Sequence, residues 1–410
     1  MAGMTVQASP DSGSGAGMTV NAAAERRIMA SRLPRARDMI AELIATPSVS
    51  CVHADLDTSN RGVIDRVAEW SEGLGFEIEI QSVKDGKYNL VARAGGGSDG
   101  LVLSGHTDTV PCDPSLWTSD PFQAREADDR IYGLGSCDMK SFLALALEAS
   151  SRVNFKNLRR PLTLVATADE ESTMSGAKLI ADNGKKLGRF CVIGEPTSLA
   201  PIRQHKGNLT MSVEFLGQSG HASDPGLGNN ALDGMHQFMT ALYAYRDKIQ
   251  QQYNDPAFTI PTPTMNLGHI HGGDNSNRIC GACMLLIDIR FLPAMSFDTL
   301  KTDLEQLATE VADKRGLEVT TQIFGSGLPA MDTPEASEIA QYLTHITGKK
   351  TGSVAFGTEA PYYNSMQTET IVIGPGSINQ AHQPDEFLPL AHIDPTIKML
   401  EDLIDRFCMS

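Results

Sequence analysis

The chain has 410 residues, too many for one simple core and about right for two domains. Acidic side chains outnumber basic ones by 50 to 34, for a net charge of −16 and a pI near 5.0. A surface of that sign repels nucleic acid and anionic membranes, which leaves a small-molecule partner as the better fit. Apolar runs are broken by Gly, Asp or Ser within about ten residues, too soon for a membrane-spanning helix.

The first 25 residues are rich in Gly, Ser and Ala and repeat Ala-Gly-Met-Thr-Val at 2–6 and 16–20. They contain no apolar signal core, so the expectation is a poorly ordered tail on a cytoplasmic protein. Helical and extended patterns then alternate. Helices are predicted over Arg35–Ala45, Asn60–Gly73 and a stretch after Met139, with a further one near Ala177–Asp182. Between them lie β-rich runs at Phe76–Ser82, Tyr88–Ala92, Leu101–His106, Leu162–Thr167 and Phe190–Gly194. Such alternation predicts an α/β fold: a catalytic domain with helices on both faces of a mostly parallel sheet.

The middle third has another rhythm. Strand, helix, two strands, helix and strand are predicted at Asn208–Leu216, Ala231–Gln252, Met265–His271, Met284–Phe291, Phe297–Lys314 and Leu317–Phe324. This is the order of a ferredoxin-like α+β unit. The α/β pattern resumes at Glu335–Thr347, Ile371–Ile373 and Pro395–Arg406. The expected organisation is therefore a discontinuous catalytic domain over 26–206 and 325–410, with a smaller domain inserted at 207–324.

The seven cysteines follow no framework spacing and read as reduced thiols; Cys280 and Cys283 open a β-run that turns them to opposite faces. No Gly-rich stretch ends in the Gly-Lys-Ser/Thr of a phosphate loop. Gly96-Gly-Ser98-Asp-Gly100 has the spacing of a nucleophile elbow, but it joins two strands, whereas an elbow leads from a strand into a helix.

Acids and histidines concentrate instead in five short segments, most of them just after an apolar strand. These are Ser-Gly-His106-Thr-Asp108, Gly133-Leu-Gly-Ser-Cys-Asp138-Met-Lys, Thr167-Ala-Asp-Glu170-Glu171, Ile193-Gly-Glu195-Pro-Thr and Gly374-Pro-Gly-Ser-Ile-Asn-Gln-Ala-His382-Gln-Pro-Asp-Glu. Open α/β sheets place their sites at strand ends. Carboxylate and imidazole groups suit a hard or borderline cation, and a pair of cations needs a bridging ligand.

Together these segments resemble the metal-binding motifs of the two-zinc aminoacylase/carboxypeptidase family, and the resemblance runs from about Arg35 to the C-terminus. It implies that Asp138 bridges two zinc ions, which cobalt can replace. His106 and Glu195 would complete one site, and Glu171 and His382 the other. Asp108 would orient the imidazole of His106, Glu170 would act as general base, and the Asp138–Met139 peptide bond would be cis. The implied reaction is removal of an acyl group, most simply acetyl, from an acylated amino acid. A desuccinylase or exopeptidase of the same family is the alternative, and a non-catalytic metal-binding scaffold is the rival of another class.

The same resemblance implies that His221 reaches into a partner subunit's site and that Asn277, Arg290 and the Gly357-Thr358 turn hold the substrate α-carboxylate. Glu359, next to that turn, is a candidate for a side-chain ammonium. A homodimer paired through the inserted unit is expected, using its helix-free sheet face and an exposed sheet edge.

Overall fold

The computed structural model describes residues 33–410; the tail over 1–25 and the first few residues expected in the catalytic domain lie outside the described residues. The larger sheet contains β1 (Glu77–Lys84), β2 (Lys87–Ala94), β3 (Leu101–His106), β6 (Leu162–Thr167), β7 (Phe190–Ile193), β8 (Ile202–His205), β13 (Met331–Asp332), β14 (Gly352–Val354) and β15 (Glu369–Val372). Their order is β1-β2-β6-β3-β7-β15-β8-β13, with β14 also paired to β8. The centre, β6-β3-β7-β15, is parallel, while β1, β2 and β13 add antiparallel pairs.

The central strands β3, β6 and β7 are buried at every position. A parallel strand covered on both faces reads in this way, as a near-continuous apolar run. Alternate residues divide between two layers. Leu101, Leu103, Leu162, Leu164, Phe190 and Val192 join a core with α1 (Ala36–Ile44), α2 (Arg61–Leu74), α3 (Lys140–Ser151), α7 (Glu338–Thr347) and α9 (Ile393–Ile404). Val102, Val165, Cys191 and Ile193 face α4 (Ser175–Asp182) and α8 (Ala360–Ser365) through Ile180, Ala360 and Tyr363. Helix α3 lies between the sheet and α1, α9, which explains why its apolar residues run right round it.

A small sheet, β16-β5-β4, combines β4 (Arg125–Ala127), β5 (Arg130–Tyr132) and β16 (Phe387–Pro389). Asp128 and Asp129, with φ of 51° and 56°, form the two-residue turn of the β4–β5 hairpin.

The second unit comprises β9 (Gly207–Leu216), α5 (Ala231–Gln252), β10 (Thr264–Gly272), β11 (Ala282–Phe291), α6 (Phe297–Arg315) and β12 (Glu318–Leu328). Its sheet is antiparallel throughout, in the order β10-β11-β9-β12. On β9, Leu209, Met211, Val213 and Phe215 point into a separate core with α5 and α6. The alternate residues Asn208, Thr210, Ser212 and Glu214 occupy the face without helices. Ser296 caps the start of α6 by accepting the Thr299 N–H, and Gly316 ends it in the left-handed conformation. The chain enters this unit through Lys206 and returns through Pro329 and Ala330. These two crossings lie side by side, because His205 and Met331 are paired across β8 and β13.

Candidate active site

Strands β3, β6, β7 and β15 run parallel, so their C-terminal ends share one rim of the sheet. His106 closes β3, Glu170 and Glu171 follow β6, Glu195 follows β7, and His382 lies on the loop after β15. Asp138 comes from the turn before α3, where the Asp138–Met139 bond is cis.

The ligand atoms form two triads with one shared member: His106, Asp138 and Glu195, and Asp138, Glu171 and His382. Asp138 Oδ1 is 3.0 Å from His106 Nε2, and its Oδ2 is 3.6 Å from His382 Nε2. One carboxylate thus presents an oxygen to each triad. His382 Nε2 also lies 3.0 Å from Glu171 Oε2. Glu195 Oε1 is buried without a hydrogen-bond partner, 3.8 Å from His106 Nε2. An orphaned carboxylate oxygen in a ring of ligands is what a cation site looks like from its donors. The donor set fits a pair of divalent cations.

The electrostatics agree. Burial, with the charges of neighbouring Glu195, Glu171 and Glu359, drives the Glu170 carboxyl well above the usual range despite attraction from His106. Glu195 is pushed up in the same way, first by burial and then by Asp138. Crowded carboxylates destabilise one another unless a cation intervenes. Glu170 belongs to neither triad yet lines the same cavity.

Asp108 acts on His106 through its backbone. His106 Nδ1 lies 3.0 Å from the Asp108 carbonyl, against 3.8 Å to Asp108 Oδ1. A carbonyl only accepts, so Nδ1 carries the proton and Nε2 is left free as a ligand. The Asp108 carboxylate instead accepts the Glu171 N–H at 3.1 Å.

Two acids that the sequence reading passed over hold the ligand loops. Asp169, in the left-handed conformation (φ 67°), accepts hydrogen bonds from Ser50, Lys84, Thr173 and Ser175. Burial alone would raise its carboxyl, but these donors hold it well below the usual range and fix the loop that carries Glu170 and Glu171. Glu386 accepts N–H groups from Gly135 (3.1 Å), Cys137 (2.7 Å) and Asp138 (2.9 Å), while its own carbonyl accepts from Gly133. It shapes the turn that delivers Asp138. Gly135, at φ 80°, supplies a conformation that turn needs, and a Cβ there would press on Lys140 and Thr109.

A cavity of about 360 Å³ opens over the site, lined by Glu170, Glu171 and His382 on one side and by Thr210, Arg290 and Gly357 on the other. One end of the helix-free face of the inserted sheet, at Asn208, Thr210 and Arg290, therefore forms a wall of the cavity. Arg290 is on that wall, its Nε donating to Asp288 Oδ1 at 3.0 Å.

Other expected residues lie elsewhere. Thr358 is fully buried behind Gly357, its N–H directed to His205 Nε2. Glu359 does not line the cavity: it is 1% exposed, it accepts from Thr167 Oγ1 at 2.9 Å, and burial pushes its pKa up to about 7. His221 and Asn277 are neighbours on two loops of the inserted unit, joined by the Ala222 N–H to the Asn277 carbonyl, and neither lines the cavity.

Fold and site together define a metal-dependent hydrolase. Residues 102–406 match Peptidase family M20/M25/M40, and the chain belongs to that family. It is 45% identical over 381 residues to an acetylornithine deacetylase of Photorhabdus laumondii, covering 92% of this chain and 99% of that protein. Its fold resembles that of an M20 family metallo-carboxypeptidase from Sulfolobus solfataricus, with a TM-score of 0.71 at 17% identity over 91% of this chain and 99% of that one. It also resembles a dinuclear metal-binding M20 peptidase of Bacillus subtilis, with a TM-score of 0.63 at 13% identity over 93% and 99%.

Proposed function

We propose that this chain hydrolyses N-acetyl-L-ornithine to L-ornithine and acetate, a step of arginine biosynthesis, in the cytoplasm. The observation that carries the chemistry is the pair of ligand triads sharing Asp138, with Glu170 beside them in the same cavity. The 45% identity to an acetylornithine deacetylase over nearly its whole length supports the substrate.

His106, Glu195 and Asp138 would hold one zinc ion, and Asp138, Glu171 and His382 the second. Such a pair, when bound, lowers the pKa of water and polarises the acyl carbonyl. Glu170 takes the proton that the attacking water gives up and returns it to the amine as the C–N bond breaks. Adjacent Glu170 and Glu171 divide the work: one carboxylate is a ligand, and the other stays free to carry protons. Arg290, braced by Asp288, grips the substrate α-carboxylate across the cavity from the ligands, together with the Gly357 turn.

The inserted unit serves as both lid and dimerisation domain. His221 is exposed and away from its own subunit's cavity, which supports its acting in the site of a partner, with Asn277 beside it. The edge strand β10, mostly exposed, supports pairing of two inserted units into a homodimer.

The test is product release from a panel of N-acetylornithine, N-succinyl-diaminopimelate and dipeptides, with zinc or cobalt added. Acetylornithine should be cleaved with the highest kcat/KM. Faster cleavage of the succinyl substrate or of dipeptides would overturn the substrate reading while leaving the hydrolase in place.

A further inference from the structure

We propose that His205 is a positioning residue: from the hinge between the two units, it holds the Gly357-Thr358 turn in place for the substrate carboxylate. The inference rests on the reading above that this turn serves the carboxylate.

His205 is the last residue of β8 and is completely buried. The next residue, Lys206, carries the chain into the inserted unit. Both ring nitrogens are engaged. Nδ1 lies 2.9 Å from the Lys206 carbonyl, and Nε2 lies 3.3 Å from the Thr358 backbone nitrogen. A carbonyl only accepts and a backbone N–H only donates. One state of the ring satisfies both contacts: neutral imidazole with its proton on Nδ1. Burial favours that state by lowering the His205 pKa to about 4.

The other hinge strand touches the same turn. Gly357 sits so close to Leu328, the last residue of β12, that an added Cβ would fall 2.0 Å from Leu328 Cδ2. The outgoing strand therefore packs on the turn while the ingoing one hydrogen-bonds to it. Thr358 has little freedom left, since its Oγ1 accepts the Ala360 N–H at 3.2 Å. Of the turn, only Gly357 reaches the cavity, whose lining it shares with Arg290 of the inserted unit. The two parts of the carboxylate grip are thus tied together through the hinge. His205 itself does not line the cavity, so it acts through the turn and not on the substrate.

The test uses the full-length, metal-loaded protein and three variants. His205→Gln can place its carbonyl oxygen where Nε2 was and keep the bond from Thr358. His205→Asn can keep the donor to Lys206 but falls short of Thr358. His205→Phe fills the space with neither group. The first measurement compares kcat/KM for N-acetylornithine and for its α-carboxamide. Wild type and His205→Gln should prefer the acid. In His205→Asn and His205→Phe that preference should fall about fivefold, the scale of one net hydrogen bond, mostly through KM and with metal content unchanged.

The second measurement is amide hydrogen exchange over residues 355–360, which needs no activity. Exchange at Thr358 should be slow in wild type and His205→Gln and faster in the other two. Equal losses on acid and amide substrates, or retention by Asn with loss in Gln, would overturn the proposal. So would a wild type that shows no preference for the acid. If the Phe variant does not fold, the Asn variant carries the comparison. A wild-type Thr358 amide exchanging as fast as an unbonded one overturns the proposal without any variant. If wild type cleaves no acylated amino acid, the proposed function fails, and the exchange data still decide whether His205 holds the turn.

Discussion

Replacing Glu386 by Gln should strip the protein of metal without unfolding it. The carboxylate is 1% exposed and receives three backbone N–H groups, with Cys137 and Asp138 sharing Oε1 and Gly135 bonding Oε2. Burial pushes the Glu386 pKa up to about 8, but both oxygens accept N–H groups, which selects the carboxylate in the folded turn. A hydrogen bond to a charged acceptor contributes about 1.5–3 kcal/mol. Glutamine can set its carbonyl oxygen at the shared position, but its NH2 group then faces the Gly135 N–H, donor against donor. One bond is lost outright and two lose their charge. The cost is about 3–4 kcal/mol, and part of it is relieved if the turn moves. A turn that moves takes Asp138 with it, and Asp138 belongs to both triads. Affinity for both cations should therefore fall together, by about a hundredfold or more at 1.4 kcal/mol per decade. The assay is calorimetric titration of zinc into chelator-treated wild type and variant, with metal content measured after dialysis and metal-free melting as the control for folding. Affinity within threefold of wild type would refute the clamp. Loss of one cation with the other held at full strength would refute the coupling through Asp138.

Glu170→Gln should keep both cations and lose about 10²–10⁴ in kcat, whereas Glu171→Gln should weaken one cation site; metal analysis beside turnover separates the two. Gly194→Ala would place a Cβ 1.9 Å from the Phe142 ring, one residue before Glu195. It should lower stability by about 1–3 kcal/mol, and an unchanged melting curve would contradict the packing. His205 has a folded-state pKa lowered to about 4 from 6.5, so its contribution is full above pH 6.5 and is lost as pH falls toward 4. His205→Gln should remove about 3 kcal/mol of acid sensitivity in that window, and parallel stability–pH curves would count against it. Mixing inactive Glu170→Gln with inactive His221→Ala under subunit exchange should restore part of the activity, because a mixed dimer has one intact site. No recovery despite proven heterodimers would exclude action across the interface.

What the sequence made legible follows from how each feature is encoded. The buried strands Leu101–His106 and Leu162–Thr167 were readable because burial on both faces leaves a largely apolar run rich in Leu and Val. The inserted unit was readable because β9 alternates cleanly between its core and the other face. Short pieces such as β8, β13, β14 and the β4–β5 hairpin carry too few residues to show a period, and long-range pairing decides them. Helix α7 begins at Glu338, after the Ser337 cap, whereas the apolar pattern had suggested Glu335. The residues of the two triads were visible as acids and histidines, most of them after strands. Glu386 stands four positions beyond His382, next to Asp385, with nothing in the sequence to separate the two acids; only the fold shows that it turns inward. Glu359 is the opposite case: its place beside the Gly357-Thr358 turn does not reveal that the side chain is buried away from the cavity lining.

The charges at the rim also bear on the substrate. Asp138, Glu171, Glu195 and Glu170 bring four carboxylates together, with His106 and His382 as neutral ligands. Two divalent cations match that charge, so the loaded site is close to neutral while Glu170 remains ionised as a base. A neutral centre exerts no strong pull on a substrate's α-carboxylate, and the empty cluster would repel it. A grip would have to come from a separate cation at a fixed distance, which supports the role proposed for Arg290 on the facing wall. Because that wall belongs to the inserted unit, the proposed recognition of the carboxylate would depend on how the unit is set by its hinge. Specificity for acylated amino acids is then a property of two parts of the chain held in register, and the metal ligands alone do not determine it.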